Sequence, residues 1–162
     1  LTESGAIVTV TDINDERVHQ IGAKYGAKIF TGADLYSADV DIYAPCALGA
    51  TINDNTIHNI KASIIAGAAN NQLANEAVHG KILKEKGILY APDFLINAGG
   101  VINVYSELVN WSREQVMQKT ENIYNTALEI FKFADDNNIT THQAAFSMAQ
   151  KRIDDTKNGL NK

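Results

Sequence analysis

Apolar positions in the first 91 residues alternate between short continuous runs and runs with helical spacing. The short runs are rich in β-branched residues and are bounded by Gly, Pro or polar residues, which is typical of buried strands. They predict five strands, at residues 6–11, 28–30, 40–44, 63–66 and 88–90. Helices separate most of these strands, and strands that alternate with short helices are typical of βα units on a parallel sheet.

The intervening helices can be placed from their caps and apolar spacing. The clearest ones are predicted from Asn14 to residue 25, ended by Gly26, and from Asn75 to residue 86, ended by Gly87. A single helical turn is expected at residues 33–36, and Asn53 or Asp54 can cap a short helix. In the first of these helices one face is predicted to carry Val18, Ile21, Gly22 and Tyr25. In the second, the residues predicted to face inward are Val78, Ile82 and Leu83.

The pattern changes after Gly100. Capping boxes at Ser112–Gln115 and Thr140–Gln143 predict two helix starts. The first helix should run to about Asp136 and the second should end in a frayed tail at 157–162. Their predicted inner faces comprise Val116, Ile123, Ala127, Ile130 and Ala134, and then Ala144, Ala145, Met148 and Ile153. We therefore expect an α/β fold, with a Rossmann-like parallel sheet in residues 1–110 followed by C-terminal helices in residues 111–162.

The composition of the chain argues against several classes of partner and site. The chain has 162 residues, 45% of them hydrophobic, and a net charge of −5, which argues against nucleic acid or an anionic membrane as a partner. No apolar run approaches the roughly 20 residues that span a bilayer. The single cysteine, Cys46, excludes an internal disulfide and fits a cytoplasmic location. The four histidines lack metal-ligand spacing, and no usual catalytic set is present, so we predict neither a metal site nor catalytic residues.

Small residues and asparagines follow three of the predicted strands, at residues 44–49 (APCALG), 66–71 (AGAANN) and 97–100 (NAGG). Small residues allow a flat ligand to approach the backbone, and an Asn side chain both donates and accepts hydrogen bonds. Parallel strands bind ligands at their carboxyl ends, so three such loops favour an extended ligand. Taken alone, the stretch 87–104 fits a tight connection as well as a binding site.

Asp12 follows the first predicted strand. In dinucleotide folds an acidic residue there accepts hydrogen bonds from the adenosine ribose, but an Asp that caps the next helix fits equally well. The glycine-rich turn G-x-G-x-x-G, which would receive the pyrophosphate, is absent from the chain.

Four segments, TDIN, PCALGA, GAANNQLA and GILYAPDFLINAGGVINV, occur in that order. Together they closely resemble the cofactor domain of the Glu/Leu/Phe/Val dehydrogenase family, over residues 5 to about 153. That family converts an L-amino acid to a 2-oxo acid and ammonia and passes hydride to NAD. NAGGVINV followed by Glu107-Leu108 is most similar to the members that oxidise leucine and other branched-chain amino acids. Alternatives are members acting on valine or phenylalanine, and a non-catalytic nucleotide-binding or interaction module.

The resemblance implies roles for seven residues, all of them on the cofactor. Asp12 would hold the adenosine ribose and favour NAD over NADP, with Arg17 beside it. Asn70 would lie near the nicotinamide ribose and substrate, and Asn97 near the nicotinamide carboxamide. The central part of NAD would be lined by Pro45, Cys46 and Ala47.

The resemblance does not extend to the family's amino-terminal substrate domain, which carries its catalytic lysines and acid. No residue here inherits a catalytic role, so we expect the chain alone to be inactive and to bind NAD weakly. The resemblance also implies a small amino-acid substrate and a homo-oligomer. Without a central strand, the strands at residues 6–11 and 40–44 should each have an unpaired edge.

Overall fold

The computed structural model describes residues 1–159 and contains two compact units. The first unit, Leu1–Ala38, has β1 (Thr9–Val10), α1 (Asp15–Tyr25) and β2 (Lys28–Ile29), flanked by single 3₁₀ turns at Thr2–Ser4 and Leu35–Ser37. β1 and β2 form a parallel pair.

Helix α1 forms as its cap residues predict. Asn14 Oδ1 accepts a hydrogen bond from the Arg17 backbone N–H at 3.0 Å. Gly26 ends the helix in the left-handed region, with φ of 67°, and its N–H donates to the Gly22 carbonyl. Val18 is buried, whereas Ile21 is exposed, so the inward face is narrower than its apolar residues suggest.

The second unit begins at Asp39 and contains a three-stranded parallel sheet. Its strands are β3 (Ile42–Tyr43), β4 (Ile64–Ile65) and β5 (Leu89–Tyr90), with β4 in the middle. All the predicted strand positions are confirmed, although each strand is shorter than predicted. Among the described strands, β1 and β3 each pair on one side only, as expected.

Six helices of the second unit follow or separate these strands in the described chain. They are α2 (Glu76–Glu85), α3 (Asp93–Ile96), α4 (Gly99–Val109), α5 (Arg113–Glu121), α6 (Ile123–Asp136) and α7 (Thr141–Lys157). Both predicted capping boxes are present, at Ser112 and Thr140. The chain is thus a mixed α/β protein with parallel strands in two small sheets and C-terminal helices, as the sequence predicts.

The prediction of a short helix after Asn53 is wrong, because residues 54–59 form turns. Thr56 Oγ1 donates to the Thr51 carbonyl at 2.7 Å and accepts from the Asn53 N–H at 3.0 Å. These local side-chain bonds compete with helical hydrogen bonds. Ile57 and Ile60 are nevertheless buried, as their apolar character predicts.

Helix α2 keeps only part of the predicted inward face: Leu83 is buried as predicted and Ile82 is half-buried, but Val78 is not. Asn75 caps it as expected, with its Oδ1 accepting from the Val78 N–H at 3.1 Å. Val78 itself is 46% exposed, and the buried positions are His79, Gly80 and Leu83. His79 can turn inward because Nδ1 accepts the Asn75 N–H at 2.9 Å and Nε2 donates to Asp54 at 3.0 Å.

The long helix predicted from residue 113 to 136 is divided into α5 and α6 at Asn122. Asn122 keeps right-handed helical dihedrals, its N–H donates to the Gln118 carbonyl and its carbonyl accepts from the Thr126 N–H, so the interruption is a single turn residue between two helices whose backbone hydrogen bonds continue through it. A short helix, α3, was not predicted, and it fills the space between Pro92 and Asn97.

The helical core of the second unit lies where α3, α6 and α7 meet. Its buried members are Leu95, Ala127, Ile130, Ala134, Ala144 and Ala145. Ile153 was predicted to lie on the inner face of the last helix; this prediction is wrong, because its side chain is 50% exposed. Helix α7 continues to Lys157, and the last three residues of the predicted frayed tail lie outside the described residues. None of the described helices combines the length and apolar character that crossing a membrane requires.

Candidate functional site

The loops that follow β3 and β4 lie side by side at the carboxyl edge of the three-stranded sheet. The Ala69 N–H donates to the Pro45 carbonyl at 3.0 Å, and the Ala68 N–H donates to Cys46 Sγ at 3.5 Å. Further along, Ile52 forms a parallel bridge with Leu73. The two loops are therefore a single hydrogen-bonded layer.

At two positions in this layer only glycine fits, because the backbone of the neighbouring loop leaves no space for a Cβ. A Cβ on Gly67 would lie 2.1 Å from the Pro45 carbonyl oxygen, and one on Gly49 would lie 2.7 Å from the Asn70 carbonyl oxygen. By contrast, a Cβ on Gly100 would meet no atom within 4 Å. Gly49 and Gly67 thus serve packing within the protein, whereas Gly100 borders open space.

Asn97 and Asn70 join the third loop to this layer. Asn97 Nδ2 donates one hydrogen to Asn70 Oδ1 and another to the Ala68 carbonyl at 3.3 Å. Asn97 terminates α3, and its own N–H donates to the Asp93 carbonyl at 3.0 Å. Asn70 is exposed and Asn97 is half-buried. We call these two side chains the amide pair.

The amide pair retains hydrogen-bonding capacity. Both hydrogens of Asn97 Nδ2 are used, whereas Asn97 Oδ1 accepts no hydrogen bond from residues 1–159. Asn70 uses its oxygen, so its Nδ2 remains a donor in the same part of the chain. One free acceptor and one free donor group match the chemistry of a primary carboxamide.

Two buried polar residues underlie the amide pair. Gln72 is 0% exposed, and its Nε2 donates to the Gly67 carbonyl at 2.7 Å and the Ala69 carbonyl at 2.9 Å. Asp93 is 7% exposed, and its Oδ2 accepts from the Gln72 backbone N–H at 3.3 Å. Neither residue was predicted from the sequence, although each lies inside a segment that carried the resemblance.

Tyr90 is a further buried polar group at this edge. Burial raises the pKa of its hydroxyl well above the ordinary value, and the negative charges of Asp93 and Glu76 act in the same direction. The phenol therefore stays neutral at physiological pH.

The residues predicted for the centre and nicotinamide end of NAD lie together in the second unit. Pro45 is buried, whereas Cys46 and Ala47 are exposed where the chain leaves β3. Through Ala68, Cys46 lies next to the loop that carries Asn70. The structure brings these positions to one edge of one sheet, and their role toward a cofactor stays a prediction.

Asp12 and Arg17, predicted for the adenosine end, lie in the first unit. Asp12 is exposed just after β1, and its Oδ1 accepts from the Asn14 N–H at 2.9 Å. Its side chain thus stabilises the turn before α1, whose N-cap is Asn14 and not Asp12. Arg17 is exposed on α1, and no ion pair in the described part of the chain joins it to Asp12.

Histidines pair with carboxylates in the second unit. His79 bonds Asp54, and His142 Nε2 lies 3.0 Å from Glu76 Oε2. Within residues 1–159, no group of three His, Cys, Asp or Glu side chains is arranged to hold a metal ion.

Known proteins resemble this chain along most of its length. The family model for Glutamate/Leucine/Phenylalanine/Valine dehydrogenase matches residues 4–159. Leucine dehydrogenase of Geobacillus stearothermophilus is 51% identical over 154 residues, which cover 95% of this chain and 42% of that protein. L-tryptophan dehydrogenase of Nostoc punctiforme is 44% identical over 162 residues, which cover 100% of this chain and 46% of that protein.

The fold agrees with these matches. The crystal structure of L-tryptophan dehydrogenase from Nostoc punctiforme is 45% identical and has a TM-score of 0.89, covering 94% of this chain and 45% of that chain. The chain spans slightly less than half the length of these relatives. Because the family model covers nearly the whole chain, the resemblance seen in its loops is confirmed: the chain belongs to the Glutamate/Leucine/Phenylalanine/Valine dehydrogenase family.

Proposed function

We propose that the chain binds NAD, with the nicotinamide end against the loops at the carboxyl edge of the β3–β4–β5 sheet. The observation that carries this proposal is the amide pair, because Asn97 Oδ1 and Asn70 Nδ2 stay available beside the exposed Gly100. A nicotinamide carboxamide carries both a donor and an acceptor, so it can satisfy such groups. Cys46 and Ala47 contact the middle of the cofactor, and Pro45 supports them from beneath.

In the same proposal, Asp12 in the first unit binds the adenosine ribose, and Arg17 lies beside that ribose. One Asp12 oxygen is used by the Asn14 N–H, but a carboxylate accepts several hydrogen bonds, so it can also accept from ribose hydroxyls. Its negative charge would repel a 2′-phosphate, which favours NAD over NADP.

The proposed reaction of the whole protein is the oxidative deamination of an L-amino acid to a 2-oxo acid and ammonia. Hydride passes from the substrate α-carbon to NAD, and the chain described here orients the acceptor ring. Leucine and other branched-chain amino acids are the proposed substrates, supported by relatives that are named leucine dehydrogenases. A relative named for tryptophan makes the aromatic amino acids the alternative substrates.

The proposed function also implies how the chain is divided, how the enzyme assembles and where in the cell it is found. Residues 1–110 would form the NAD-binding part, and residues 111–162 the helices that return toward the amino-acid-binding part. The enzyme would be a cytoplasmic homo-oligomer, and the 162-residue chain alone would be inactive because no residue in it matches the family's catalytic motif.

Alkylation of Cys46 tests the cofactor proposal directly, since Cys46 is the only cysteine and is exposed. Millimolar NAD should slow its alkylation by a neutral thiol reagent, and NADP should slow it less. The reaction of the same reagent with glutathione controls for any effect of NAD on the chemistry. Alkylation that proceeds at the same rate with and without NAD would contradict the proposal.

Substrate preference requires the whole protein that contains this chain. NADH formation with leucine, valine, isoleucine, phenylalanine and tryptophan should be fastest with leucine. Faster oxidation of tryptophan would reject the leucine preference but retain the reaction class. NADH formation by the isolated 162-residue chain would reject the proposal that it is inactive alone.

A further inference from the structure

Two buried polar side chains, Gln72 and Asp93, make hydrogen bonds to the segments that carry the amide pair. Gln72 is 0% exposed and Asp93 is 7% exposed. Burying an amide or a carboxylate is costly unless its hydrogen bonds are satisfied. The bonds that these two side chains make therefore show which backbone segments they hold in place.

The Gln72 side chain closes the loop that presents Asn70. Its Nε2 donates to the carbonyls of Gly67 and Ala69 at 2.7 and 2.9 Å, so both of its hydrogens hold the backbone just before Asn70. The Ala68 carbonyl, between those two, remains free to accept from Asn97. The Gln72 side chain therefore fixes the backbone on which half of the amide pair rests.

Asp93 connects that loop to the helix that presents Asn97. Its Oδ2 accepts from the Gln72 N–H at 3.3 Å, and its Oδ1 accepts from the Phe94 N–H at 2.9 Å. Its backbone carbonyl accepts from the Asn97 N–H at 3.0 Å, across the single turn of α3. One residue thus fixes both the start of α3 and the loop after β4.

We propose that Gln72 and Asp93 are positioning residues that hold Asn70 and Asn97 in hydrogen-bond contact, with their free donor and acceptor oriented for a carboxamide. The part of this inference that concerns a carboxamide rests on the proposed function. The part that concerns the amide pair is a property of the ligand-free chain. The two can therefore fail separately.

The test measures hydrogen exchange of the Asn97 side-chain amide by NMR in the ligand-free 162-residue chain. Both hydrogens are bonded, so their exchange should be slower than that of a free amide. Gln72→Met keeps the side-chain length but removes both donors, and Asp93→Asn removes one acceptor. Each variant should accelerate exchange at Asn97 about tenfold, the effect of losing roughly 1.4 kcal/mol. Asn70→Ala, which deletes the acceptor itself, sets the upper limit.

His79→Gln is the matched control. His79 is 3% exposed in the same unit, but its bonds go to Asn75 and Asp54. This variant should lose stability without changing exchange at Asn97. A positioning role therefore predicts a local effect, whereas a general loss of stability would also accelerate exchange in the control.

Unchanged exchange at Asn97 in folded Gln72→Met and Asp93→Asn would overturn the inference. If Gln72→Met fails to fold, the milder Asp93→Asn decides the question. If neither variant folds, the wild-type chain can still overturn the inference, because an Asn97 amide that exchanges as fast as a free one is not held.

An NAD titration of the same samples separates the two proposals. NAD that shifts the Asn97 amide resonances in the wild type, and binds about tenfold more weakly to Gln72→Met, supports both. Faster exchange in the variants with no response to NAD supports positioning and rejects the proposed function. A normal response to NAD with unchanged exchange rejects positioning alone.

Discussion

Asn97 donates both of its side-chain hydrogens within the protein, so its chemistry toward a ligand is that of an acceptor. Asn97→Asp should therefore damage the site twice. The carboxylate faces the Asn70 oxygen and the Ala68 carbonyl without a hydrogen to donate, and it changes the charge beside the ligand. We expect a loss of about 0.5–1.5 kcal/mol in stability, because the lost hydrogen bonds end on exposed residues where water replaces the missing donor.

The same variant should bind NAD at least tenfold more weakly in an NMR titration. Asn103→Asp, at an exposed position on α4, introduces the same charge elsewhere and should retain both stability and binding. Equal losses in the two variants would show that charge, and not the amide pair, is responsible.

Tyr90 should make stability depend on alkaline pH. Its folded-state pKa is raised, first by burial and then by Asp93, so the unfolded chain loses the phenol proton at lower pH. The stability present below about pH 10 should therefore fall above it, by up to about 1.4 kcal/mol per pH unit. Urea unfolding from neutral to alkaline pH should show this slope in the wild type.

Tyr90→Phe should lack that part of the slope, whatever its stability at neutral pH. Tyr124→Phe removes an exposed phenol and should follow the wild type throughout. Parallel pH curves for the wild type and Tyr90→Phe would contradict the raised pKa.

At the scale of elements, the contact between the loops after β3 and β4 depends on Gly67. A Cβ there would lie 2.1 Å from the Pro45 oxygen, so Gly67→Ala must move backbone. We expect a loss of about 1–3 kcal/mol or more in urea unfolding. Gly100→Ala meets no atom within 4 Å and lies in α4, so it should be neutral or stabilise by up to about 1 kcal/mol. Similar stability of the two variants would show that the loops do not pack this closely.

The two capping boxes should contribute differently to stability, although their sequence motifs are alike. Thr140 starts α7, which contributes Ala144 and Ala145 to the core, whereas α5 after Ser112 has no buried residue. Thr140→Ala should cost about 1–2 kcal/mol and Ser112→Ala about 0.5 kcal/mol in thermal or urea unfolding. A larger loss at Ser112 would mean that α5 supports the fold more than its exposure indicates.

Local signals explain which elements could be predicted. Strand positions follow from short apolar runs, and helix starts follow from Asn14, Asn75 and the capping boxes, because these features act within a few residues. The turns after Asn53 could not be predicted, since they depend on a bond between the Thr56 side chain and the Asn53 backbone that competes with a helix. The inward turn of His79 likewise depends on Asp54, distant in sequence.

The candidate site, too, could be predicted only in part from local signals. The loop motifs identify Asn70 and Asn97 from residue type alone, but the bond between their side chains joins residues 27 positions apart. Gln72 and Asp93 were missed because polar residues in a turn usually face solvent. Their burial becomes visible only once β4 and β5 are paired.

At the scale of the whole molecule, this chain is a member of an amino-acid dehydrogenase family and spans slightly less than half the length of its relatives. The central claim is that its three loops receive the nicotinamide end of NAD. A ligand that lacks only nicotinamide therefore provides the sharpest comparison.

The most direct test is an NMR titration of the ¹⁵N-labelled chain with NAD and, separately, with ADP-ribose, following the side-chain amides of Asn70 and Asn97. NAD should shift both amides, whereas ADP-ribose should leave Asn97 unchanged while shifting the backbone amide of Asn14, next to the Asp12 carboxylate. Asn97 resonances that do not move at millimolar NAD, or that move equally with ADP-ribose, would contradict the claim.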